Sequence, residues 1–168
     1  MKRRLTLAAA LAGLCLPLAQ AEDHDHAMHM QHMAQGAAPA KQAPAKDSRQ
    51  VVRFPTQLRE HTLANMRDHL LALQQIQEAL AKQEYDQAGD IAEQRLGMSS
   101  LALHGAHEVA KYMPNGMQAA GTAMHRNASR LAVAAKDAGA TGDLKPVFDA
   151  MANVTAQCVA CHAGYRVR

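Results

Sequence analysis

Apolar side chains recur every three or four residues along most of the chain after residue 55, the spacing of helices with one buried face. The first such stripe consists of Leu63, Met66, Leu70, Leu73, Ile76 and Leu80. Segments with this pattern lie at about 56–83, 86–112, 117–138 and 144–165. Turn-forming residues separate the last three, Pro114-Asn115-Gly116 being the clearest break. The pattern therefore predicts four helices.

These helices are long and their connections are short, which makes neighbouring helices antiparallel. Eight residues of the fourth predicted helix share one face: Leu144, Val147, Phe148, Met151, Val154, Cys158, His162 and Tyr165. We expect an all-α fold over residues 55–168, an antiparallel up-down-up-down four-helix bundle.

The first 21 residues have the parts of a secretory leader. Basic residues 2–4 precede an apolar stretch at 5–18, and Ala19-Gln20-Ala21 is a small-residue cleavage site. We expect cleavage before Glu22 and export to the periplasm. No later segment is apolar enough to span a membrane.

Residues 34–47 are rich in Ala, Pro, Gln and Lys and have nothing with which to build a core. On composition, we expect residues 22–54 to be a disordered tail and linker. The tail interleaves methionines with four histidines, His24, His26, His29 and His32. Imidazole and thioether groups together suit copper. The alternative is a low-complexity tail with no metal.

Composition excludes several classes of protein. The formal charge of +3 comes from 18 basic and 15 acidic residues, and the three basic residues of the leader account for the excess. The mature chain therefore has no net charge to attract nucleic acid. Aromatic residues make up 3% with no Trp, too few for a β-sandwich or an RNA-binding sheet.

The most specific motif is Cys158-Val159-Ala160-Cys161-His162, at the end of the fourth predicted helix. Two cysteines three apart lie on adjacent turns, so each can form a thioether to a haem vinyl group, and the following histidine can bind the iron. A thioredoxin-like pair would lie at a helix N-terminus, and a zinc site would need a second ligand pair. The motif predicts one covalently bound haem c.

With its surroundings, from Cys158 to Arg166, the motif resembles the C-terminal signature of class II c-type cytochromes, the cytochrome c-prime family. The resemblance implies a four-helix bundle with haem between the helices near one end, and His162 as proximal ligand with Arg166 close by. It implies electron transfer or, in some members, binding of small gases. Such proteins are often dimers through their first two helices, so a homodimer is possible.

In that family the residue on the distal side of the iron comes from the first helix, and an Arg about one turn earlier is common. Arg59, Leu63 and Met66 are the candidates here. Arg59 and Met66 lie within about 20° of the same helix azimuth, which favours Met66 as the sixth ligand. An alignment on Arg59 with one turn of spacing puts Leu63 there instead and leaves the iron open. Arg59 and Arg166 are candidates to pair with haem propionates.

The spacing of the remaining histidines in the helical region is a weaker indication of metal or haem binding than the cysteine motif. His69 is expected to be partly exposed, with iron ligation as its alternative. His104 and His107 are three apart and expected on a solvated helix face, although two such residues can share a metal. His61 and His125 are expected at the surface.

Two function classes follow from these features, and a third, a metal-handling protein that acts through the histidine- and methionine-rich tail, is held in reserve. The first is a periplasmic monohaem electron carrier that cycles between Fe(II) and Fe(III) and docks with redox partner proteins. The second is a five-coordinate haem protein that binds NO or CO. No acid–base or nucleophile arrangement is evident in the sequence, so we do not expect an enzyme.

Overall fold

The computed structural model describes residues 46–168, and within them Asp47–Arg168 forms one compact unit. The predicted signal peptide at 1–21 and the histidine- and methionine-rich tail lie outside the described residues. Helices account for 76% of the described chain and strands for little of it. The fold is therefore mostly helical, as the sequence predicts.

The elements follow one another in a simple order. Strand β1 is Gln50–Val52 and strand β2 is Tyr165–Val167. Between them lie five α-helices: α1 Thr56–Ala81, α2 Tyr85–Ile91, α3 Ala106–Ala110, α4 Asn115–Thr141 and α5 Lys145–Gly164. A π-helical turn, Ala92–Leu96, extends α2, and a 3-10 turn, Met98–Ser100, follows it.

The continuous second helix predicted at 86–112 is wrong, because the chain breaks twice within it. Gly97 has an extended backbone and ends the π-helical turn. Gly105 has a φ of 59° and lies directly before α3. This left-handed conformation is accessible to glycine at little cost and interrupts a right-handed helix. The segment therefore forms α2 and α3 with an irregular connection between them.

The main core lies where α4 packs along α5 and where α2 packs against α1 and α4. Small side chains dominate its centre, and Ala72, Ala88, Ala128 and Ala135 are fully buried beside Ile76 and Leu131. Alanine lets helix axes approach closely, which explains how a chain with few aromatics closes a core. Within residues 46–168 no helix is both long and apolar enough to cross a bilayer.

Three residues of the predicted helix faces are exposed: the apolar residues Leu70 and Phe148, and His162. Leu70 is 69% exposed, because α1 buries the neighbouring azimuth through His69 and Ala72. Phe148 is 59% exposed, because α5 turns Val147 and Val154 inward. In both helices the period of the pattern is correct, since Ile76, Leu80, Val147 and Val154 of the predicted faces are buried; Leu70 and Phe148 are the apolar exceptions.

Strand β1 lies in the segment 22–54, which was predicted to be disordered. The C-terminal end of that predicted segment is therefore wrong. β1 pairs in parallel with β2, Gln50 opposite Tyr165 and Val52 opposite Val167. Val52 and Phe54 are buried in a second, smaller cluster with Val109 and Met117. The compact unit therefore begins at Asp47 rather than at 55. Its first strand, β1, pairs with β2, which directly follows the helix that carries the cysteine motif.

Candidate functional site

The cysteine motif occupies the last two turns of α5. Both thiols are free and half-buried, and the Cys158 thiol donates weakly to the Val154 carbonyl oxygen at 3.7 Å. Cys158 packs against the main core and Cys161 against the smaller cluster. Burial raises the pKa of both thiols, so they lack the low pKa of a catalytic redox pair.

Cys161 and His162 lie on the wall of a cavity of about 270 Å³. Helix α1 contributes Leu63 and Met66 to the lining of this cavity, so both candidates for the distal position line the same space as His162. Arg59 is half-buried but does not line this cavity. The structure thus brings together five of the predicted site residues: Cys161, His162, Leu63, Met66 and Arg166.

Two further methionines line this cavity and were missed by the sequence analysis. Met113 comes from the turn before α4 and Met117 from its first turn. Gly121, one turn further along α4, also lines the cavity. The three residues share one face of α4 and its approach, because positions four apart are neighbours on a helix. That spacing was visible in the sequence, but only the fold shows that the face meets the cysteine motif.

A charged group lies at the same cavity. Arg49 pairs with Asp47 through two guanidinium nitrogens, at 3.0 and 2.9 Å, and its Nη1 also donates to the His162 carbonyl oxygen at 3.4 Å. Its hydrogen bonds hold the pKa of the Asp47 carboxyl well below the usual range. Arg166 Nε lies 3.4 Å from the same carboxylate, buried and without a hydrogen bond. Two guanidiniums therefore share one carboxylate, which leaves positive charge beside the motif.

These features fit a haem. The cavity wall is mostly apolar, as a porphyrin face requires. The buried Arg166 Nε lacks the hydrogen bond that such a donor normally makes, and a propionate would supply an acceptor. Arg49, which the sequence analysis placed in a disordered linker, is a second donor on the same wall.

A second cavity of about 170 Å³ adjoins the first, and Thr62, Met66, Met113 and Gly121 line both. Its lining includes three histidines from three segments: His69 of α1, His104 before α3 and His125 of α4. They are 9%, 6% and 8% exposed, so the predictions that they lie partly exposed or at the surface are wrong. His107 is exposed, as predicted.

Hydrogen bonds orient two of these rings. His125 Nδ1 lies 2.7 Å from the Leu96 carbonyl oxygen. Ser100 Oγ donates to the Gly97 carbonyl oxygen at 2.7 Å and lies 3.3 Å from His104 Nδ1. Burial lowers the pKa of all three imidazoles, that of His69 to about 4. The rings are therefore neutral at pH 7.

Comparisons of the chain with protein-family models, with curated proteins and with solved structures gave no match. The cysteine motif and the side chains that surround it are therefore the features from which a function can be inferred.

Proposed function

We propose that this protein is a periplasmic monohaem c-type cytochrome that carries electrons by cycling its iron between Fe(II) and Fe(III). One observation carries the proposal: Cys161 and His162 of α5 line a largely apolar cavity that Met66 of α1 also lines. A cysteine pair with a structural or redox role has no need of such a space beside the following histidine. The leader at 1–21 supports export to the periplasm, where redox partner proteins would dock.

In this proposal the chain's residues hold the cofactor from three sides. Cys158 and Cys161 attach it through thioethers, and the His162 imidazole is the proximal iron ligand. Arg49 and Arg166 pair with the propionates, since a guanidinium matches a carboxylate. The haem supplies the one-electron couple, and the protein supplies axial ligation, burial and a docking surface.

The proposed arrangement of the helices is a four-helix bundle with one interrupted member. Helix α1, the α2–α3 segment, α4 and α5 would be its four elements, alternately up and down. The packing of α2 against α1 and α4, and of α4 along α5, supports this order. The haem would lie between helices at the end where α5 finishes, as in the class II cytochromes that the motif resembles.

Met66 is the proposed sixth ligand, and this ligand favours electron transfer. A thioether is neutral and raises the potential relative to a bis-histidine site. Met66 lines both cavities, and the larger one is also lined by His162, which supports this assignment.

A gas-binding haem protein is the second candidate, and Leu63 is the observation that favours it. Leu63 lies one turn before Met66 and lines the same cavity. A leucine over the iron would leave the sixth position open to NO or CO.

The visible spectrum of the purified, exported holoprotein separates the two functions. The electron carrier has low-spin iron in both oxidation states and shows the weak long-wavelength band of a His–Met ferric haem. A five-coordinate protein is high-spin and binds CO at once when reduced. A high-spin spectrum would transfer the proposal from electron transfer to gas binding.

A further inference from the structure

Three imidazoles meet in the interior, and the proposed haem ligation does not use them. His69, His104 and His125 belong to segments distant in sequence and are all buried. Their ring centroids are separated by 4.6, 5.4 and 6.1 Å. Burying three polar rings costs free energy unless each nitrogen finds a partner. Polar contacts within the protein reach one nitrogen of His125 and both of His104, and all three rings line the same cavity of about 170 Å³, where a shared ligand could bind.

The spacing of two of the rings matches a metal site. His69 Nε2 and His104 Nε2 are 3.4 Å apart, longer than a usual N–H···N hydrogen bond. Two nitrogens bound tetrahedrally to one zinc ion, each at about 2.0–2.1 Å, are separated by about 3.3–3.4 Å. The pair is thus already at the edge length of a tetrahedral site.

Hydrogen bonds at Nδ1 leave Nε2 of His104 and of His125 available to bind a metal ion. A carbonyl oxygen only accepts, so His125 carries its proton on Nδ1, toward Leu96. The Ser100 hydroxyl proton points to the Gly97 carbonyl oxygen, so His104 Nδ1 must donate to Ser100 Oγ. Both rings therefore keep a lone pair on Nε2, and the Nε2 of His104 faces that of His69. Metal-binding histidines are oriented in this way by a donor bond from their second nitrogen.

We propose that His69, His104 and His125 bind one transition-metal ion of the zinc or copper type. Neutral imidazoles are ligands for both metals, and three of them leave a fourth position toward the cavity. Within residues 46–168 no three metal-ligating side chains are already grouped round one point. Completion of the site requires His125 Nε2 to move closer to the His69–His104 pair, since the His125 ring centroid lies 6.1 Å from that of His69 and 5.4 Å from that of His104. The inference does not depend on haem binding.

Zinc is the probe, because its X-ray absorption edge is distinct from that of haem iron. The protein is the exported full chain with His24, His26, His29 and His32 changed to Ala, which removes binding by the tail. Competition against a chromophoric chelator should give one Zn²⁺ per chain. The zinc-edge spectrum should show three imidazole nitrogens at about 2.0–2.1 Å.

Matched variants in this background assign the ligands. His69→Gln, His104→Gln and His125→Gln should each lose more affinity than the roughly 10- to 100-fold expected for an outer partner. The loss of affinity in Ser100→Ala should fall within that smaller range, because the Ser100 side chain only orients His104. His107→Gln is the control: it changes an exposed histidine three residues from His104 and should leave the affinity unchanged.

Three results would overturn the proposal: no zinc binding once the tail histidines are removed, full affinity in His125→Gln, or equal losses in His104→Gln and His107→Gln. If a buried variant fails to fold, the absorption spectrum of the background protein still decides. Fewer than three imidazole ligands there would refute the site.

Discussion

Arg166 Nε is buried 3.4 Å from Asp47 Oδ2 and makes no hydrogen bond to any described residue. Arg49 already occupies both oxygens of that carboxylate. The two arginines come from opposite ends of the compact unit and are brought together by the pairing of β1 with β2. They form a positively charged wall beside His162.

Removal of this charge should lower the reduction potential. Arg166→Gln and Arg49→Gln should each shift it downward on the order of 40 mV, the one-electron equivalent of about 1 kcal/mol. The reason is that a nearby cation stabilises the reduced, more electron-rich state. Redox titration of the holoprotein measures the shift. Arg59→Gln is the control, since Arg59 does not line the cavity, and an equal shift there would contradict the assignment of the propionate partners.

The β1 segment should contribute to stability like any core element. Val52→Ala removes two buried methyl equivalents and should lower the free energy of unfolding by about 2 kcal/mol. Val159→Ala makes the same chemical change at a side chain that is 68% exposed and should cost little. Denaturant unfolding of both variants checks this. Equal costs would mean that β1 does not pack as described.

The helices could be predicted from sequence and two features of the fold could not. The period of α1, α4 and α5 is carried by many side chains and survives errors at single positions. The break in the second helix depends on Gly105 adopting a left-handed backbone, and a glycine within a helical pattern does not reveal that. Strand β1 has three residues, too few for a pattern, and forms only because β2 is available to pair with it.

The site was predictable where it is local. Cys158, Cys161 and His162 lie within five consecutive residues, so the sequence alone predicts covalent attachment of haem there. Arg49 and Met117 reach the same cavity only through tertiary packing. The buried histidines were missed because histidine is usually partly exposed, and burial here results from three segments meeting.

Met66→Leu tests the distal ligand. The change nearly conserves volume, so it should cost less than about 1.5 kcal/mol of stability. Loss of the thioether should convert low-spin iron to high-spin, allow rapid CO binding and lower the potential. Optical spectra of both oxidation states give the answer.

Met113→Leu and Met117→Leu are the matched controls, because both methionines line the same cavity as Met66. Neither should change the spin state. An unchanged spectrum in Met66→Leu together with a high-spin spectrum in either control would move the ligand to that control residue.

The buried histidines should make stability depend on pH. The pKa of His69 is about 4 when folded and 6.5 when unfolded, so the unfolded chain binds the proton more tightly. Stability is then complete above about pH 6.5 and falls as pH decreases toward 4. With a chelator present, the free energy of unfolding should drop by roughly 2 kcal/mol more between pH 7 and 5 in wild type than in His69→Gln. His107→Gln should retain the wild-type dependence, and a pH dependence undiminished in His69→Gln would contradict the assignment.

Covalent attachment of haem at Cys158 and Cys161 is the central claim, and the intact mass of the exported protein tests it most directly. The account predicts a chain beginning near Glu22 that carries one haem and keeps it through acid–acetone extraction. The double variant Cys158→Ala/Cys161→Ala should lose haem under the same treatment. A wild-type mass with two free thiols or a disulfide, and no covalently bound haem, would contradict the account.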